Sequence, residues 1–172
     1  MDTENNNQED KNKNSQSQQY VVFELDNEEY AVSILEVKEV IKFSEITPVP
    51  QSSPWLSGIL NLRGKIIPVL DLEKYFHFSR KIKGAPQRIL VIEGEQNVLF
   101  GILVDQVDEV LKVSPEFIKP APKVVTNKVS TEFVKGVIVM AQPKDRILLI
   151  LDLKKILNEK ETQDLSKKLD SK

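Results

Sequence analysis

The stretch KIIPVLDLEKYF, residues 65–76, recurs in altered form as RILLILDLKKIL at residues 146–157. In each copy a basic residue precedes an apolar run, which ends in Leu-Asp-Leu and a short helical pattern. Further upstream, GIL at residues 58–60 resembles GVI at residues 136–138. An internal repeat of this kind predicts two related lobes, each ending in a strand, an aspartate and a short helix.

The aspartate of each copy, Asp71 or Asp152, follows a strand and precedes a helical turn. This is the N-cap position, where a carboxylate accepts hydrogen bonds from free backbone N–H groups. A catalytic carboxylate would seldom be duplicated in the same local frame. We therefore predict that Asp71 and Asp152 are structural caps.

The first copy begins within NLRGKIIPVLDL, residues 61–72, where Arg63-Gly64 interrupts an apolar stretch. A glycine at this point predicts a tight hairpin turn. Pro68 cannot donate to a sheet, so it predicts an edge strand or a bulge. The second copy has the longer turn AQPKD and no counterpart of Arg63. Arg63 is therefore a candidate for a specialised role.

Short β-rich runs separated by turn residues fill most of the chain. Their spacing predicts antiparallel hairpins. Strands this short and frequent favour small SH3-like or OB-like barrels. The predicted fold is mainly β, with short helices. The runs occupy residues 20–25, 29–32, 88–93, 98–107, 136–140 and 146–151.

One segment between these runs has a helical pattern. Ser33 and Glu36 have the spacing of a capping box. Ile34, Val37 and Ile41 follow at helical spacing, which predicts a short helix or a single turn. Glu36 is then expected on a solvated helix face.

Composition divides the chain into three segments. Residues 1–19 contain no Val, Ile, Leu or Phe, so they cannot offset their ordering entropy by burial and are predicted to be a disordered tail. Residues 20–157 form the predicted folded domain. Residues 158–172 form a charged tail, in which Leu165 and Leu169 have spacing compatible with a frayed helix.

Composition excludes several classes of function. The chain has no cysteine and one histidine, His77, which leaves little material for thiolate chemistry or Cys/His metal sites. We expect no metal, no cofactor and no catalytic residue, since no nucleophile motif or phosphate-binding glycine pattern is present. Without a long apolar stretch or a signal sequence, the protein is predicted to be cytoplasmic, with no direct membrane insertion.

Protein recognition is the function class that remains. The alternative is a small β-barrel that binds single-stranded nucleic acid or a small ligand. Binding of nucleic acid requires a basic groove with exposed aromatic residues. The net charge of -2 and an aromatic content of 6% argue against it. The acidic side chains Asp105, Asp108 and Glu109 fit no calcium loop and are expected on a solvated face.

Five segments together resemble the CheW family, the coupling proteins of bacterial chemotaxis. They lie in the expected order and span nearly all of residues 20–157. The same fold occurs in the regulatory domain of the kinase CheA and in the front part of CheV, but this chain carries no kinase or receiver segment. The segments are EEYAVSILEVKEVI (28–41), GILNLRGKIIPVLDL (58–72), GILVDQVDEVL (101–111), IKPAPK (118–123) and STEFVKGV (130–137).

The resemblance implies a fold of two side-by-side five-stranded β-barrel subdomains and the function of a non-enzymatic adaptor. Family members join the cytoplasmic tip of a methyl-accepting chemoreceptor to the regulatory domain of the histidine kinase CheA, in arrays at the membrane. The family's partner-sensitive positions fall on five residues, and Glu39 is expected to pair with Arg63. The five are Val37, Glu39, Gly58, Arg63 and Val110.

Overall fold

The computed structural model describes residues 16–78, 87–121, 123 and 129–157. The described residues contain two short α-helices, α1 (Leu72–Tyr75) and α2 (Leu153–Leu157), and are otherwise mainly β. The strands are β1 (Gln18–Leu25), β2 (Glu28–Ser33), β3 (Val37–Lys42), β4 (Leu56–Leu62), β5 (Lys65–Asp71), β6 (Arg88–Glu93), β7 (Leu99–Val104), β8 (Gln106–Val113), β9 (Ile118–Lys119), β10 (Val134–Met140) and β11 (Arg146–Leu151).

These strands form two sheets. Sheet A has six strands in the order β8-β1-β2-β11-β10-β9, and sheet B has five in the order β3-β6-β7-β5-β4. The predicted mainly β fold is confirmed. The prediction of closed five-stranded barrels is wrong in detail, because both sheets are open and sheet A has a sixth strand.

Each sheet nevertheless curls around an apolar cluster of its own. In sheet A, Val113 on β8 shares a cluster with Ile118 on β9, at the opposite edge. In sheet B, Ile41 on β3 packs against the cluster that contains Leu60 on β4. The edges approach without backbone pairing, so the lobes are barrel-like and open.

A third and larger cluster joins the sheets to each other. It combines large, fully buried side chains of both sheets with aromatic residues from the connecting segments, so the two lobes share one core. Examples are Phe23, Leu25 and Tyr30 from sheet A, Leu70, Ile92 and Ile102 from sheet B, and Trp55 and Phe133 from the connections.

The internal repeat is longer in the structure than in the sequence comparison above. VKEV at residues 37–40 opens β3, and VDEV at residues 107–110 lies in β8. Glu39 is paired with Val91 of β6, and Glu109 is paired with Val22 of β1. In both β3 and β8, a bulge lies just before the glutamate. The two halves of the chain are therefore related from hairpin to terminal helix.

The halves are also interlocked. Hairpin β1-β2, from the first half, joins sheet A with β8 to β11 from the second half. Hairpin β6-β7, from the second half, joins sheet B with β3, β4 and β5 from the first. The chain thus crosses between sheets after β2, through residues 34–36, and after β7, through Asp105. Neither sheet is complete without both halves.

The Arg63-Gly64 turn is confirmed as a tight two-residue hairpin. Both residues have positive φ, 49° and 86°, the conformation that continues the twist of the paired strands. Asn61 Oδ1 accepts a hydrogen bond from the Gly64 N–H at 2.9 Å. Pro68 lies inside sheet B and not at its edge. Opposite Pro68 on β4 lies Ile59, whose N–H and carbonyl are both hydrogen-bonded to Thr47. The missing N–H of the proline therefore leaves no carbonyl of Ile59 without a partner.

Of the two predicted alternatives for the segment after Ser33, the single turn is present at residues 34–36 and the short helix is not. Strand β3 follows the turn, because β-branched Val37, Val40 and Ile41 favour a sheet. One predicted boundary also changes. β1 begins at Gln18, inside the predicted tail, because pairing with Val113 on β8 uses backbone groups and needs no apolar side chain. The remaining tail predictions, residues 1–15 and 158–172, lie outside the described residues.

Asp71 and Asp152 have matching geometry at the ends of the two repeats. Asp71 Oδ1 accepts the Lys74 N–H at 3.2 Å, and Asp152 Oδ1 accepts the Lys155 N–H at 3.0 Å. Each aspartate also donates its own N–H to the carbonyl of an aromatic residue, Trp55 at 2.8 Å or Phe133 at 2.7 Å. Both carboxylates thus cap a helix in equivalent settings.

We expect Asp71→Ala and Asp152→Ala each to lower the free energy of unfolding by about 1 kcal/mol, the usual effect of a lost N-cap. Asp71→Asn and Asp152→Asn, which keep a capping oxygen, are the controls and should lose much less. Chemical denaturation measures the change. A variant that keeps its stability and loses one partner outright would show that the aspartate has another role.

Candidate partner-binding surfaces

The predicted pair of Glu39 and Arg63 is present. Arg63 Nη2 donates to both carboxylate oxygens of Glu39, at 2.6 and 2.7 Å, and Nη1 donates to Oε1 at 2.9 Å. The arginine side chain is 66% exposed and the glutamate 32%. The pair links edge strand β3 to the β4-β5 turn across the open side of sheet B.

Gly58 lies at a site with no room for a side chain. Its φ is +147°, and a Cβ would lie 2.3 Å from the Thr47 carbonyl oxygen and 2.7 Å from a methyl group of Ile46. The residue is buried. The structure therefore gives Gly58 a packing role, and it presents no side chain to a partner.

The five predicted partner-sensitive residues do not converge on one patch. Val37 is half-buried against the shared core and lies on β3, two residues before Glu39. Val110 is 52% exposed on β8, in the other sheet. The structure thus divides the set between sheet A and sheet B.

Each sheet carries one surface built in the same way. The sheet B surface comprises Glu39, Val40, Arg63 and Ile66, and the sheet A surface comprises Glu109, Val110, Arg146 and Ile147. In both, two exposed aliphatic residues lie on the strands that carry or flank the Glu–Arg pair, 43% and 54% exposed in the first and 52% and 62% in the second. Val40 and Val110 directly follow the glutamates, so each valine points to the opposite face of its strand from the glutamate. Glu39, Val40 and Ile66 correspond to Glu109, Val110 and Ile147 in the repeat, whereas Arg146 aligns with Lys65 and not with Arg63. The two surfaces are therefore related, but their Glu–Arg pairs use arginines from different positions.

Arg146 organises the sheet A surface. It donates to Glu29 through Nε at 2.9 Å and Nη2 at 2.6 Å, and its Nη1 lies 2.6 Å from Glu109 Oε1. The hydrogen bond from Arg146 holds the pKa of Glu29 below its ordinary value, despite an opposing effect of burial. Both carboxylates raise the pKa of the guanidinium, with Glu29 the larger influence. The sequence analysis did not single out this residue.

We expect Arg146→Met to lower the free energy of unfolding by about 2 kcal/mol near neutral pH, because two carboxylates lose their shared donor. The pKa of Glu29 is depressed in the folded state, so this contribution is present above the unfolded pKa of about 4.3 and is lost as pH falls through the folded value. Denaturation of both proteins at neutral and acidic pH should show the deficit shrinking in acid.

The control for this variant is Lys144→Met, which removes an exposed cation that also lowers the Glu29 pKa without a hydrogen bond. It should have little effect at either pH. A deficit in Arg146→Met that is independent of pH would assign the loss to packing of the arginine stem and not to its charge.

The two surfaces differ in charge beside the glutamate. On β3, Lys38 pairs with Glu93 of the neighbouring strand. The counterpart positions on β8 and β1 hold Asp108 and Glu24, two carboxylates. Burial raises the pKa of Glu24, and repulsion from nearby carboxylates, Asp108 foremost, raises it further. The sheet A surface is therefore the more acidic of the two.

Glu36 is a second residue that the sequence analysis misjudged. It is buried, at 6% exposure, and not on a solvated face. Its Oε1 lies 3.1 Å from the Nζ of Lys135, which belongs to β10 in the other sheet. No periodicity could predict this pair, because the two residues lie 99 positions apart.

The acidic residues near the second crossover have structural partners. Asp105 Oδ2 accepts the Asp26 N–H at 2.9 Å, and Glu73 Oε1 accepts the same N–H at 3.1 Å. Within the described ranges, no cluster of three His, Cys, Asp or Glu side chains could hold a metal ion. In that same part of the chain, no helix has the length and apolar character needed to cross a membrane.

The comparisons with known proteins agree with this architecture. The CheW-like domain family matches residues 19–161. The chain is 32% identical over 156 residues to the chemotaxis protein CheW of Treponema pallidum, covering 89% of each. It is 34% identical over 140 residues to the chemotaxis protein CheW of Thermotoga maritima, covering 80% of this chain and 85% of that protein.

A solved structure shares the fold. The crystal structure of the scaffolding protein TtCheW from Thermoanaerobacter tengcongensis superposes with a TM-score of 0.74 at 34% identity, covering 84% of this chain and 90% of that one. The resemblance seen in the sequence is confirmed by all three comparisons, which cover most of the chain. The chain belongs to the CheW-like domain family.

Proposed function

We propose that this protein is a non-enzymatic adaptor of chemotaxis, which couples chemoreceptors to the histidine kinase CheA. The observation that carries the proposal is the pair of related surfaces, one on each sheet. Exposed aliphatic side chains at the same sheet edges as a fixed Glu–Arg pair suit protein recognition, since apolar contact gives affinity and the charges give orientation. A protein with two such surfaces can hold two partners.

The difference in charge between the surfaces favours two different partners. The sheet B surface has Lys38 paired with Glu93, whereas the sheet A surface has a cluster of carboxylates. A charged partner would therefore bind the two surfaces with different strength. The named relatives are chemotaxis proteins, and TtCheW is a scaffolding protein. The regulatory domain of CheA and the cytoplasmic tip of a chemoreceptor are the partners we assign.

The proposed place of action is the cytoplasmic side of receptor arrays, where the adaptor is recruited through its partners. Val37, Glu39, Arg63 and Val110 are the proposed contact residues, and Gly58 contributes through its close packing against Thr47 in sheet B. The assignment of kinase or receptor to each surface is left to the binding experiment.

The test is a binding experiment with purified CheA regulatory domain and a receptor tip fragment. We expect the chain to bind both, and a variant of each surface to lose one partner more than the other. Val40→Asp disturbs the sheet B surface and Val110→Asp its counterpart, so the two variants are matched controls for each other. Binding of single-stranded DNA, with neither protein fragment retained, would contradict the proposal.

A further inference from the structure

The first crossover between the sheets leads directly into the sheet B surface. Residues 34–36 connect β2 of sheet A to β3 of sheet B, and β3 is an edge strand that pairs only with β6. Val37 and Glu39 are the first and third residues of β3. Whatever fixes the end of this crossover therefore fixes the start of the surface.

Burial of apolar side chains anchors this crossover only in part. Ile34 packs partly against the shared core, and its N–H donates to the Gln19 carbonyl at 3.0 Å. Leu35 is 90% exposed, so it contributes almost no burial. Two backbone hydrogen bonds close the turn locally, from the Glu36 N–H to the Ser33 carbonyl at 3.0 Å and from the Val37 N–H to the Ile34 carbonyl at 3.2 Å. Neither bond reaches the other sheet, whereas the side chain of Glu36 does.

Glu36 joins the crossover to the opposite sheet. Its side chain is 6% exposed, whereas that of Lys135 is 43% exposed, and the two are 3.1 Å apart. The second carboxylate oxygen, Oε2, is buried and has no hydrogen-bond partner among the described residues. A buried carboxylate held by one cation is costly to displace, because any movement that breaks the pair leaves a charge in an apolar setting.

The repeat shows that this pair is not a necessity of the fold. At the second crossover, Gln106 precedes Val107 as Glu36 precedes Val37. Ser57 precedes Gly58 as Lys135 precedes Gly136. Neither counterpart is charged, so the ion pair belongs to one of the two related surfaces. Its presence on one side only points to a role specific to the sheet B surface.

We propose that Glu36 and Lys135 are positioning residues for the sheet B surface: their ion pair ties the first crossover to sheet A and thereby fixes Val37 and Glu39. Describing β3 as a partner surface rests on the proposed function. The anchoring itself is a property of the protein alone and can be measured without a partner. Failure of one idea can therefore be told from failure of the other.

The experiment is amide hydrogen exchange on the full chain, read by mass spectrometry. The reporter peptide covers residues 35–42, and the internal reference covers residues 106–113, the related edge strand without the ion pair. The variants are Glu36→Gln, Lys135→Met and the apolar pair Glu36→Leu with Lys135→Met. The matched control is Lys38→Met, which removes the Lys38–Glu93 pair within sheet B.

We expect severalfold faster exchange in residues 35–42 for the two single variants, with residues 106–113 unchanged. The apolar double variant should regain the melting temperature of the parent, because well-packed apolar residues often replace a buried ion pair without loss. Its reporter peptide should still exchange faster, because apolar contact is not directional. The Lys38→Met control should exchange in both peptides as the parent does.

Three results would overturn the proposal. One is parental exchange of residues 35–42 in both single variants. Another is an equal acceleration throughout the chain, which would mean that the pair contributes only to global stability. The third is full recovery of protection in the double variant, which would show that filling the space suffices without the ion pair.

Discussion

Gly58→Ala should lower the free energy of unfolding by about 3 kcal/mol or more, the largest loss of stability that we expect from a single methyl group in this protein. Two costs add. A φ of +147° is rarely adopted by residues with a side chain, and the new Cβ would lie 2.3 Å from the Thr47 carbonyl oxygen. The backbone of Thr47 cannot retreat easily, because it exchanges two hydrogen bonds with Ile59, at 2.8 and 2.9 Å.

Gly64→Ala is the matched control for this prediction. Gly64 also has a positive φ, +86°, but nothing lies within 4 Å of its Cβ position. The control therefore carries the backbone cost alone, about 1 kcal/mol. Gly136→Ala tests the repeat, since its Cβ would lie 2.8 Å from the Lys119 carbonyl oxygen. It should fall between the other two.

Chemical denaturation at low temperature measures the three changes, and binding is then measured on the folded fraction. We expect folded Gly58→Ala protein to retain much of its affinity for both partners. The partner sensitivity that the family resemblance assigns to this position would then result from loss of fold. A Gly58→Ala protein with parental stability and no binding would instead assign Gly58 to the contact itself.

Features determined by neighbouring residues could be predicted from the sequence. The Arg63-Gly64 turn follows from the backbone conformation that a two-residue hairpin needs, and the pattern of apolar residues on both sides sets its register. Asp71 and Asp152 could be assigned as caps because a cap depends on residues three positions away. In these cases the physical cause lies within a few residues of its effect.

The relation between β3 and β8 was also present in the sequence. VKEV at residues 37–40 and VDEV at residues 107–110 are three-quarters identical, and each precedes an aliphatic residue and a lysine. Aligned together, they place Glu109 at the position of Glu39. They do not identify Arg146 as the partner of Glu109, because Arg146 aligns with Lys65 and not with Arg63.

The interlocked topology could not be predicted from local patterns. A swapped and an unswapped arrangement of the two halves use the same strands, turns and apolar faces. The choice depends on short crossovers, such as Asp105, that are too brief to let β8 return to the sheet of β7. The burial of Glu36 has the same origin, because its partner Lys135 becomes a neighbour only once β10 lies in the other sheet.

Reversal of charge at Arg63 is the change that should affect function most. Arg63→Glu places a second carboxylate against Glu39, where three hydrogen bonds of 2.6 to 2.9 Å now hold the guanidinium. The arginine is 66% exposed, so the folding cost should be only about 1 kcal/mol. A partner that accepts a hydrogen bond from the Arg63 guanidinium would instead be repelled by the new carboxylate.

A desolvated contact of this kind is worth about 2–5 kcal/mol at an interface, much more than in the isolated protein. We therefore expect receptor-stimulated phosphorylation by CheA, in a reconstituted array, to fall by more than tenfold with folded Arg63→Glu protein. Circular dichroism checks the fold. Lys42→Glu is the matched control, because it reverses an exposed charge at the far end of β3, away from the Glu39–Arg63 pair.

The exchanged pair, Glu39→Arg with Arg63→Glu, separates the two tasks of the arginine. It restores attraction across the open side of sheet B, so the local geometry returns, but the charges that a partner meets are interchanged. We expect recovery of only part of the kinase activity. Full recovery would mean that Arg63 affects partner binding only by linking the β4-β5 turn to β3. Normal kinase activation by folded Arg63→Glu protein would remove Arg63 from the surface altogether.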